Sequence, residues 1–290
     1  MLIIGCGDVG RRLAALARTR EEAVFCLVAT APSAEKLVAG GVEARAVDLD
    51  SSTPTFDGDW NQRDVFYFAP PPPTGDNDPR MQRFLASLPT DSAHRIVYIS
   101  TTGVYGDCDG QWVDEQRAPN PQVDRAKRRF DAEQQLRAWH AAGHGEIVIL
   151  RVAGIYGPDK LPLDRLRKQV PMIGEDEAPW TNRIHIDDLV EVCTAAMKNG
   201  GDGAVYNVSD GTPGNMRNYF DNVADLFDLP RPPMVSMADA NGRLSAGLLS
   251  YLRESRRLDN RKMLSELGVT LRYPTLKLGL QASKQAMHGD

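Results

Sequence analysis

The 290-residue sequence has few cysteines, no long apolar run and no marked excess of charge of either sign. The cysteines show no Cys-x-x-Cys or Cys/His spacing, so neither a disulfide framework nor a zinc site is indicated. No apolar stretch approaches the roughly 18 residues that span a membrane. The 34 Lys and Arg residues and the 39 Asp and Glu residues are spread along the chain, with a net charge of −5, which argues against a general nucleic-acid surface. The four cysteines are Cys6, Cys26, Cys108 and Cys193.

The composition is that of an ordinary folded protein, with 42% hydrophobic and 25% charged residues. The first apolar run, Leu2 to Ile4, is far too short for a secretory signal and is followed directly by Gly5 and Asp8. We therefore expect a cytoplasmic protein that has no membrane partner, no nucleic-acid partner and no metal site.

Short apolar runs alternate with longer helix-like segments, which is typical of a parallel sheet covered by helices. A helix is predicted where Val9, Leu13 and Leu16 share one face, and further helices over 78–88 and 122–142. The pattern predicts an α/β protein with a doubly wound parallel sheet of about seven strands. The predicted strands are Leu2 to Ile4, Ala23 to Val28, Glu43 to Val47, Val65 to Ala69, Ile96 to Ser100, Ile147 to Arg151 and Ala204 to Val208.

The regular alternation stops after Tyr156, where prolines punctuate a segment with little periodicity. From Pro230 onward the sequence is helix-like but again interrupted by proline, and it carries a basic run from Arg253 to Lys262. We expect residues 1–155, completed by about 180–210, to form one domain. Residues 156–179 and 211–290 are expected to form a small C-terminal lobe.

Gly5, Gly7 and Gly10 form a Gly-x-Gly-x-x-Gly loop directly after the first strand and at the start of an amphipathic helix. In this context the first glycine permits a tight turn, the second lets the backbone approach a pyrophosphate, and the third allows close helix packing. The loop, including Asp8 and Val9, therefore predicts a dinucleotide-binding Rossmann domain, with phosphate at the helix N-terminus.

The end of the second strand indicates which dinucleotide is bound. NAD sites place a carboxylate there for the ribose 2′-hydroxyl, whereas this sequence reads Ala29, Thr30, Ala31. With Thr30, Ser33 and Lys36 nearby and no acid to repel a 2′-phosphate, NADP is preferred over NAD.

Two later strand ends are expected to line the same cofactor. Asp48 and Leu49 follow the third strand, where the adenine is expected. Ala69, Pro70 and Pro71 follow the fourth strand, where four consecutive prolines make a stiff wall because they cannot continue a ladder.

Four segments together resemble the short-chain dehydrogenase/reductase superfamily in its extended form, the NAD(P)-dependent epimerase/dehydratases. The glycine spacing is most similar to that of the atypical reductases. The segments read STTGVYG from Ser100, RVAGIYGP from Arg151, TNRIHIDDL from Thr181 and YNV from Tyr206.

The resemblance implies a hydroxyl at the end of the fifth strand that binds the reacting carbonyl and a tyrosine that exchanges the proton. It also implies a lysine four residues later that holds the cofactor ribose and lowers the tyrosine pKa. Thr101 matches the hydroxyl, with Thr102 as a second catalytic candidate and Ser100 as a cofactor contact. The tyrosine is missing. If Lys127 is the family lysine, the tyrosine place holds a valine; alternatively, Arg129 takes the lysine place and Arg125 the tyrosine place.

Tyr105, Tyr156 and His185 are candidates to replace the missing tyrosine, although each is also a candidate packing residue. The positions that are acidic in the family's dehydratases read Thr102 and Gly103, which disfavours a sugar-nucleotide dehydratase. The leading hypothesis is an NAD(P)-dependent oxidoreductase or epimerase-like enzyme acting on a small carbonyl or hydroxyl substrate. The alternative is a catalytically inactive NAD(P)-binding sensor. The resemblance also implies a possible homodimer through the helix at 122–142.

Overall fold

The computed structural model describes residues 1–56, 64–89, 94–240 and 242–288. Its strands are β1 Leu2–Ile4, β2 Phe25–Val28, β3 Glu43–Ala46, β4 Val65–Tyr67, β5 His94–Thr101, β6 Trp112–Val113, β7 Gly145–Val152, β8 Gly154–Tyr156, β9 Met172–Ile173, β10 Trp180–Thr181, β11 Arg183–His185, β12 Ala204–Val208, β13 Gly214–Asn215, β14 Met234–Val235 and β15 Arg257–Leu258. Its α-helices are α1 Asp8–Thr19, α2 Ala31–Ala39, α3 Pro79–Ser87, α4 Asp124–Ala141, α5 Leu163–Arg167, α6 Ile186–Asn199, α7 Met216–Leu226, α8 Met237–Ala240, α9 Ala246–Leu252, α10 Arg261–Leu267 and α11 Leu276–His288.

Seven strands form a parallel sheet in the order β12-β7-β5-β4-β1-β2-β3. The order reverses at β1, from which the chain winds outward in both directions, so the sheet is doubly wound. The predicted fold class is confirmed, and all seven predicted strands are present with ends that shift by at most two residues. The three predicted helices are present as α1, α3 and α4.

Alternate strand residues pack into two separate cores on the two faces of the sheet. On β1, Ile3 packs with helices α1, α2, α6 and α10, whereas Leu2 and Ile4 pack with α3 and α4. This packing explains the apolar spacing of α1, because Leu13, Ala14 and Ala17 on its buried face lie in the first core.

A third core forms the small lobe beside the carboxyl edge of the sheet. It gathers apolar residues of α5, α7, α9 and α11 with the paired strands β9 and β14. The segment after Tyr156 thus contains short elements rather than only a loop. Helix α10 lies apart from this lobe, since its Met263 and Leu267 pack in the first core. Among the helices of the described ranges, none is long and apolar enough to cross a membrane.

Candidate active site

The glycine loop has a distinct use for each glycine. Gly5 has a φ of +88°, and a Cβ there would lie 2.4 Å from the Ala69 nitrogen, so the turn is pressed against the end of β4. A Cβ on Gly10 would lie 3.2 Å from the Gly5 carbonyl oxygen and 3.2 Å from Ile3, which shows close packing of helix on strand. A Cβ on Gly7 would meet nothing within 4 Å.

This open space lies at the N-terminus of α1, where Gly7 is the N-cap and supplies no side-chain hydrogen bond. The first N–H groups of a helix lack partners within the helix and attract anions. The residues present therefore fit the pyrophosphate of a dinucleotide. Val9, the second residue of α1, instead packs half-buried against the first core.

Asp8, the first residue of α1, is neutralised by two cations. Its carboxylate lies 2.7 Å from the Lys160 ammonium and 2.7 Å from the Arg11 guanidinium. The hydrogen bond from Lys160, followed by that from Arg11, holds the pKa of Asp8 below its usual range. Lys160 belongs to a short 3-10 helix after β8, so this later segment of the chain lies against the glycine loop.

At the end of β2, Thr30 is the N-cap of α2, and its hydroxyl donates a 2.9 Å hydrogen bond to the Ser33 hydroxyl. Lys36 is exposed on the same helix. The structure thus brings two hydroxyls together at a helix N-terminus, with an ammonium group farther along the helix.

The loops after β3 and β4 are tied together by Arg80. It binds the Asp50 carboxylate, with a shortest distance of 2.5 Å, and donates a 2.8 Å hydrogen bond to the Pro70 carbonyl. Asp48 forms a turn by accepting from the Asp50 nitrogen at 3.0 Å, and the neighbouring Leu49 is buried. Asp48 and Leu49 therefore lie in a loop that is connected to the proline run.

A cleft of about 520 Å³ opens at the carboxyl edge of the sheet, and Ser100, Thr101, Thr102 and Pro71 line it. The half-buried Thr101 hydroxyl accepts a 3.2 Å hydrogen bond from the Gly103 nitrogen. Among the described residues it donates to no acceptor, so its hydrogen is left to donate to a ligand. Thr102, only 8% exposed, lies beside it.

Ser100 lines the cleft, but its hydroxyl takes part in a buried network of charged side chains. Its hydroxyl donates a 2.5 Å hydrogen bond to the Glu133 carboxylate. The same carboxylate lies 2.7 Å from Arg151, and the Arg151 guanidinium packs on the Tyr105 ring, 4.7 Å from its centre. This network fixes α4 against the ends of β5 and β7. Its one local signal in the sequence is Glu133 itself, because the family often has a glutamate four residues after the lysine, and Glu133 has this spacing from Arg129.

Helix α4 turns two of its three candidate cations towards the cleft. Arg125 and Arg129, four residues apart and hence on one helix face, both line it. Arg129 donates a 2.9 Å hydrogen bond to the Ile99 carbonyl. Lys127 lies elsewhere on the helix, with 43% of its side chain exposed and its ammonium 3.5 Å from Asp124. The structure therefore does not bring Lys127 to the cleft.

None of the three candidate replacements for the tyrosine lines the cleft, and Tyr156 is buried in the core of the small lobe. Tyr105 is buried and donates a 2.7 Å hydrogen bond to Asn207. His185 is buried as the N-cap of α6, accepts from the Asp187 nitrogen at 3.2 Å and lies 3.3 Å from the Ser283 hydroxyl. Burial lowers the pKa of His185, which favours the neutral ring that this cap requires. Both residues pack within the protein at these positions.

The C-terminal half of the chain supplies cleft residues that the sequence did not single out. Arg183 begins β11, and Tyr251 belongs to α9. Glu254 and Arg256 form a buried pair 2.7 Å apart, and Glu254 Oε1 has no hydrogen-bond partner within the described ranges. Arg256 belongs to the basic run that begins at Arg253, but nothing local in the sequence distinguishes it from the other basic residues of the run.

Comparisons with known proteins place these features in a family. The sequence model of the NAD dependent epimerase/dehydratase family matches residues 75–209. Protein YeeZ of Escherichia coli strain K12 is 24% identical over 180 residues, which are 62% of this chain and 59% of YeeZ. The match therefore spans less than two thirds of that curated relative.

Two solved structures are similar over nearly the whole chain. A functionally unknown conserved protein from Silicibacter pomeroyi is 30% identical, with a TM-score of 0.84 and 98% of both chains covered. UDP-glucuronic acid 4-epimerase from Bacillus cereus, solved in complex with NAD, is 16% identical, with a TM-score of 0.74; 98% of this chain and 99% of that chain are covered. The second likeness concerns the fold alone. Together with the glycine loop and the Thr101 edge, these matches make the chain similar to the NAD-dependent epimerase/dehydratase family, in sequence over residues 75–209 and in fold over nearly its whole length.

Proposed function

We propose that this protein is an NADP-preferring oxidoreductase or epimerase-like enzyme acting on a small carbonyl or hydroxyl substrate beside Thr101. One observation carries the proposal: a free hydroxyl donor and two guanidiniums on one helix face line a single cleft at the carboxyl edge of the sheet. Open α/β sheets bind their ligands at this edge. When bound, the nicotinamide cofactor supplies or accepts the hydride.

The preference for NADP rests on the end of β2. Thr30 and Ser33 offer hydroxyls at the N-terminus of α2, and Lys36 adds a positive charge. These groups favour an additional phosphate on the ribose. An acid that would hydrogen-bond a free 2′-hydroxyl and repel a phosphate is missing from positions 29–31.

Thr101 and Arg125 are the groups we assign to the substrate oxygen. The Thr101 hydroxyl is free to donate, and an arginine at the tyrosine place polarises an oxygen although it is a poor acid or base. Arg129, at the lysine place, is held by the Ile99 carbonyl. It therefore keeps the helix face in register with the strand end.

Proton exchange is assigned to Glu254. Its side chain is buried in the cleft lining, and its Oε1 has no hydrogen-bond partner among the described residues. A carboxylate in this position can accept the proton of a substrate hydroxyl and return it in the reverse direction. The substitution Glu254→Gln is expected to lower turnover and to leave the NADPH affinity unchanged.

We further propose that residues 1–155 and about 180–210 hold the cofactor, while 156–179 and 211–290, without helix α10, form the lobe that contributes the substrate side of the cleft. Met216 and Tyr251 from the lobe support this division, since both line the cleft. The exposed side of α4 is the surface we propose for a homodimer.

The test uses Thr101→Val. Purified protein is mixed with NADPH and a panel of small carbonyl compounds, and cofactor oxidation is followed by its near-ultraviolet absorbance. The valine variant is expected to bind NADPH with unchanged affinity and to lose turnover of any substrate found. Unchanged turnover would remove Thr101 from the reaction.

A second candidate function, a nucleotide-binding sensor, is favoured by one observation. The place of the family tyrosine is taken by Arg125, which cannot serve as a proton donor at neutral pH. A sensor would bind NADPH tightly, and NADPH would raise its unfolding midpoint. It would oxidise the cofactor with none of the carbonyl compounds, in the unaltered protein as in Thr101→Val.

A further inference from the structure

The cleft is positively charged although the chain as a whole carries −5. Among the described residues that line it, Glu254 is the acid, and its partner is Arg256 at 2.7 Å. The other three cations have no carboxylate within 4.0 Å in the described part of the chain. An uncompensated positive cleft attracts and concentrates anionic ligands. These three cations are Arg125, Arg129 and Arg183.

Arg183 is placed at the carboxyl edge of the sheet by backbone pairing. Strand β11 pairs with β8 so that Arg183 lies opposite Gly154. Gly154 follows the end of β7, and a Cβ on it would lie 3.2 Å from Arg183 Nη1. Because Val152 at the end of β7 is in register with Thr101, the guanidinium lies at the sheet edge that carries the reacting position.

Few of the Arg183 donors are used inside the protein. The guanidinium packs over the Tyr219 ring, 3.6 Å from its centre, which covers one face. Nη2 makes a long hydrogen bond of 3.5 Å to the Thr181 hydroxyl. A guanidinium has five N–H donors in its plane, so the residues within the described ranges leave most of them for a ligand in the cavity.

The surroundings of Arg183 also leave its charge incompletely balanced. Burial lowers the pKa of Arg183. The nearby Asp210 carboxylate lies more than 4.0 Å from the Arg183 guanidinium and instead accepts a 2.9 Å hydrogen bond from the Thr212 nitrogen. Burying a cation without a close partner is costly. A bound anion would remove that cost.

Arg125, which lines the same cleft, has a similar environment. Its guanidinium packs over the Tyr251 ring, 3.8 Å from its centre, and it donates to the Ser250 hydroxyl. Tyr251 and Arg183 line both the cleft and an adjoining cavity of about 450 Å³. The two guanidiniums therefore open into one continuous space.

We infer that Arg125 and Arg183 together bind an oxyanion group of the substrate, a carboxylate or a phosphate, beside Thr101. The planar fork of each guanidinium matches either group, and each ring holds its guanidinium flat. Arg129 is less available because its donors go to backbone carbonyls. The inference rests on the proposed function, since it places the oxyanion on the molecule that reacts in this cleft.

The experiment is a calorimetric titration of nucleotide-free, full-length protein with inorganic phosphate and with malonate, in a buffer without competing oxyanions. We expect saturable binding of at least one probe to the unaltered protein. Arg183→Met and Arg125→Met should each weaken it by roughly tenfold or more, because a bidentate ionic hydrogen bond is lost. Arg231→Met is the matched control, since Arg231 is exposed and paired with Asp225, and its affinity should equal that of the unaltered protein.

Two further variants separate binding in the cleft from binding at the glycine loop and from misfolding. The Gly7→Asp variant should bind the anion with unchanged affinity. If this variant no longer binds the anion, the probe binds at the glycine loop and the inference is overturned. Arg183→Lys keeps the positive charge and should therefore keep part of the affinity. Its circular dichroism spectrum should match that of the unaltered protein, so it tests the role of the guanidinium even if Arg183→Met misfolds.

Two results would overturn the inference: no saturable binding of either probe, or equal affinity in Arg183→Met and the unaltered protein. NADPH titration and the Thr101→Val assay report on the proposed function separately. A protein that binds NADPH but neither anion contradicts the oxyanion site alone.

Discussion

The buried Glu133–Arg151 pair is predicted to stabilise the edge of the sheet that carries Thr101. Both side chains are at most 3% exposed, and the Glu133 carboxylate receives hydrogen bonds from Arg151 at 2.7 and 3.1 Å and from Ser100 at 2.5 Å. The change Glu133→Gln removes the negative charge while it keeps the shape. It leaves the Arg151 guanidinium buried without a counter-charge.

The expected cost follows from this geometry. Removing one partner of a buried ion pair destabilises a protein by about 3–5 kcal/mol, which is a large share of the roughly 5–15 kcal/mol that holds most proteins folded. The double variant Glu133→Leu, Arg151→Met should be more stable than Glu133→Gln, because no unpaired charge remains.

Urea unfolding followed by circular dichroism measures the effect. Asp225→Ala is the matched control, because Asp225 pairs with Arg231 at the surface at the same 2.7 Å, where screening by water makes the pair weak. An unfolding midpoint of Glu133→Gln no lower than that of Asp225→Ala would refute the predicted cost of the buried charge.

Three other predictions concern charge, backbone and the helix face. Burial raises the pKa of Asp210 from 3.8 to about 7, so between these pH values the folded protein holds a proton that the unfolded chain has lost. The contribution of this proton to the free energy of unfolding is complete below pH 3.8 and is lost as the pH rises through about 7. Asp210→Asn should therefore flatten the fall in unfolding free energy measured between these pH values, and an unchanged slope would contradict the raised pKa. Gly5→Ala should lower the thermal midpoint, since a positive φ costs about 1–3 kcal/mol and the added Cβ clashes with backbone; an unchanged midpoint would count against the turn. Lys127→Ala should bind NADPH as the unaltered protein does in a fluorescence titration, whereas Arg129→Ala should bind it more weakly; the reverse order would return the lysine role to Lys127.

Most of the fold follows from the sequence because its signals are local. The strand run Leu2 to Ile4 is buried on both faces and therefore uniformly apolar. Its observed bounds coincide with the predicted ones, as do those of Ala204 to Val208. The glycine loop is equally local, since turn, open space and packing are set by three glycines within six residues.

The side chains that depend on distant contacts could not be placed in this way. The phase of α4 is fixed by burial of Ala126 and Ala132 beneath it, which turns Arg125 and Arg129 to the cleft and Lys127 away from it. Without a tyrosine to mark the register, the sequence leaves both choices open.

Tyr105 and His185 are candidates by residue type alone. Their burial depends on Asn207 and Ser283, which lie 102 and 98 residues away along the chain. The position of Arg183 could not be predicted for the same reason, because it depends on pairing with β8 and on the Tyr219 ring.

The most direct test of the proposed cofactor site is a calorimetric titration of nucleotide-free protein with NADPH and with NADH, repeated on Gly7→Asp. We predict that NADPH binds more tightly than NADH, and that Gly7→Asp abolishes both, because the aspartate fills the open space at the start of α1 with a negative charge. Absence of binding by either nucleotide, or unchanged binding by Gly7→Asp, would contradict a dinucleotide site at this loop.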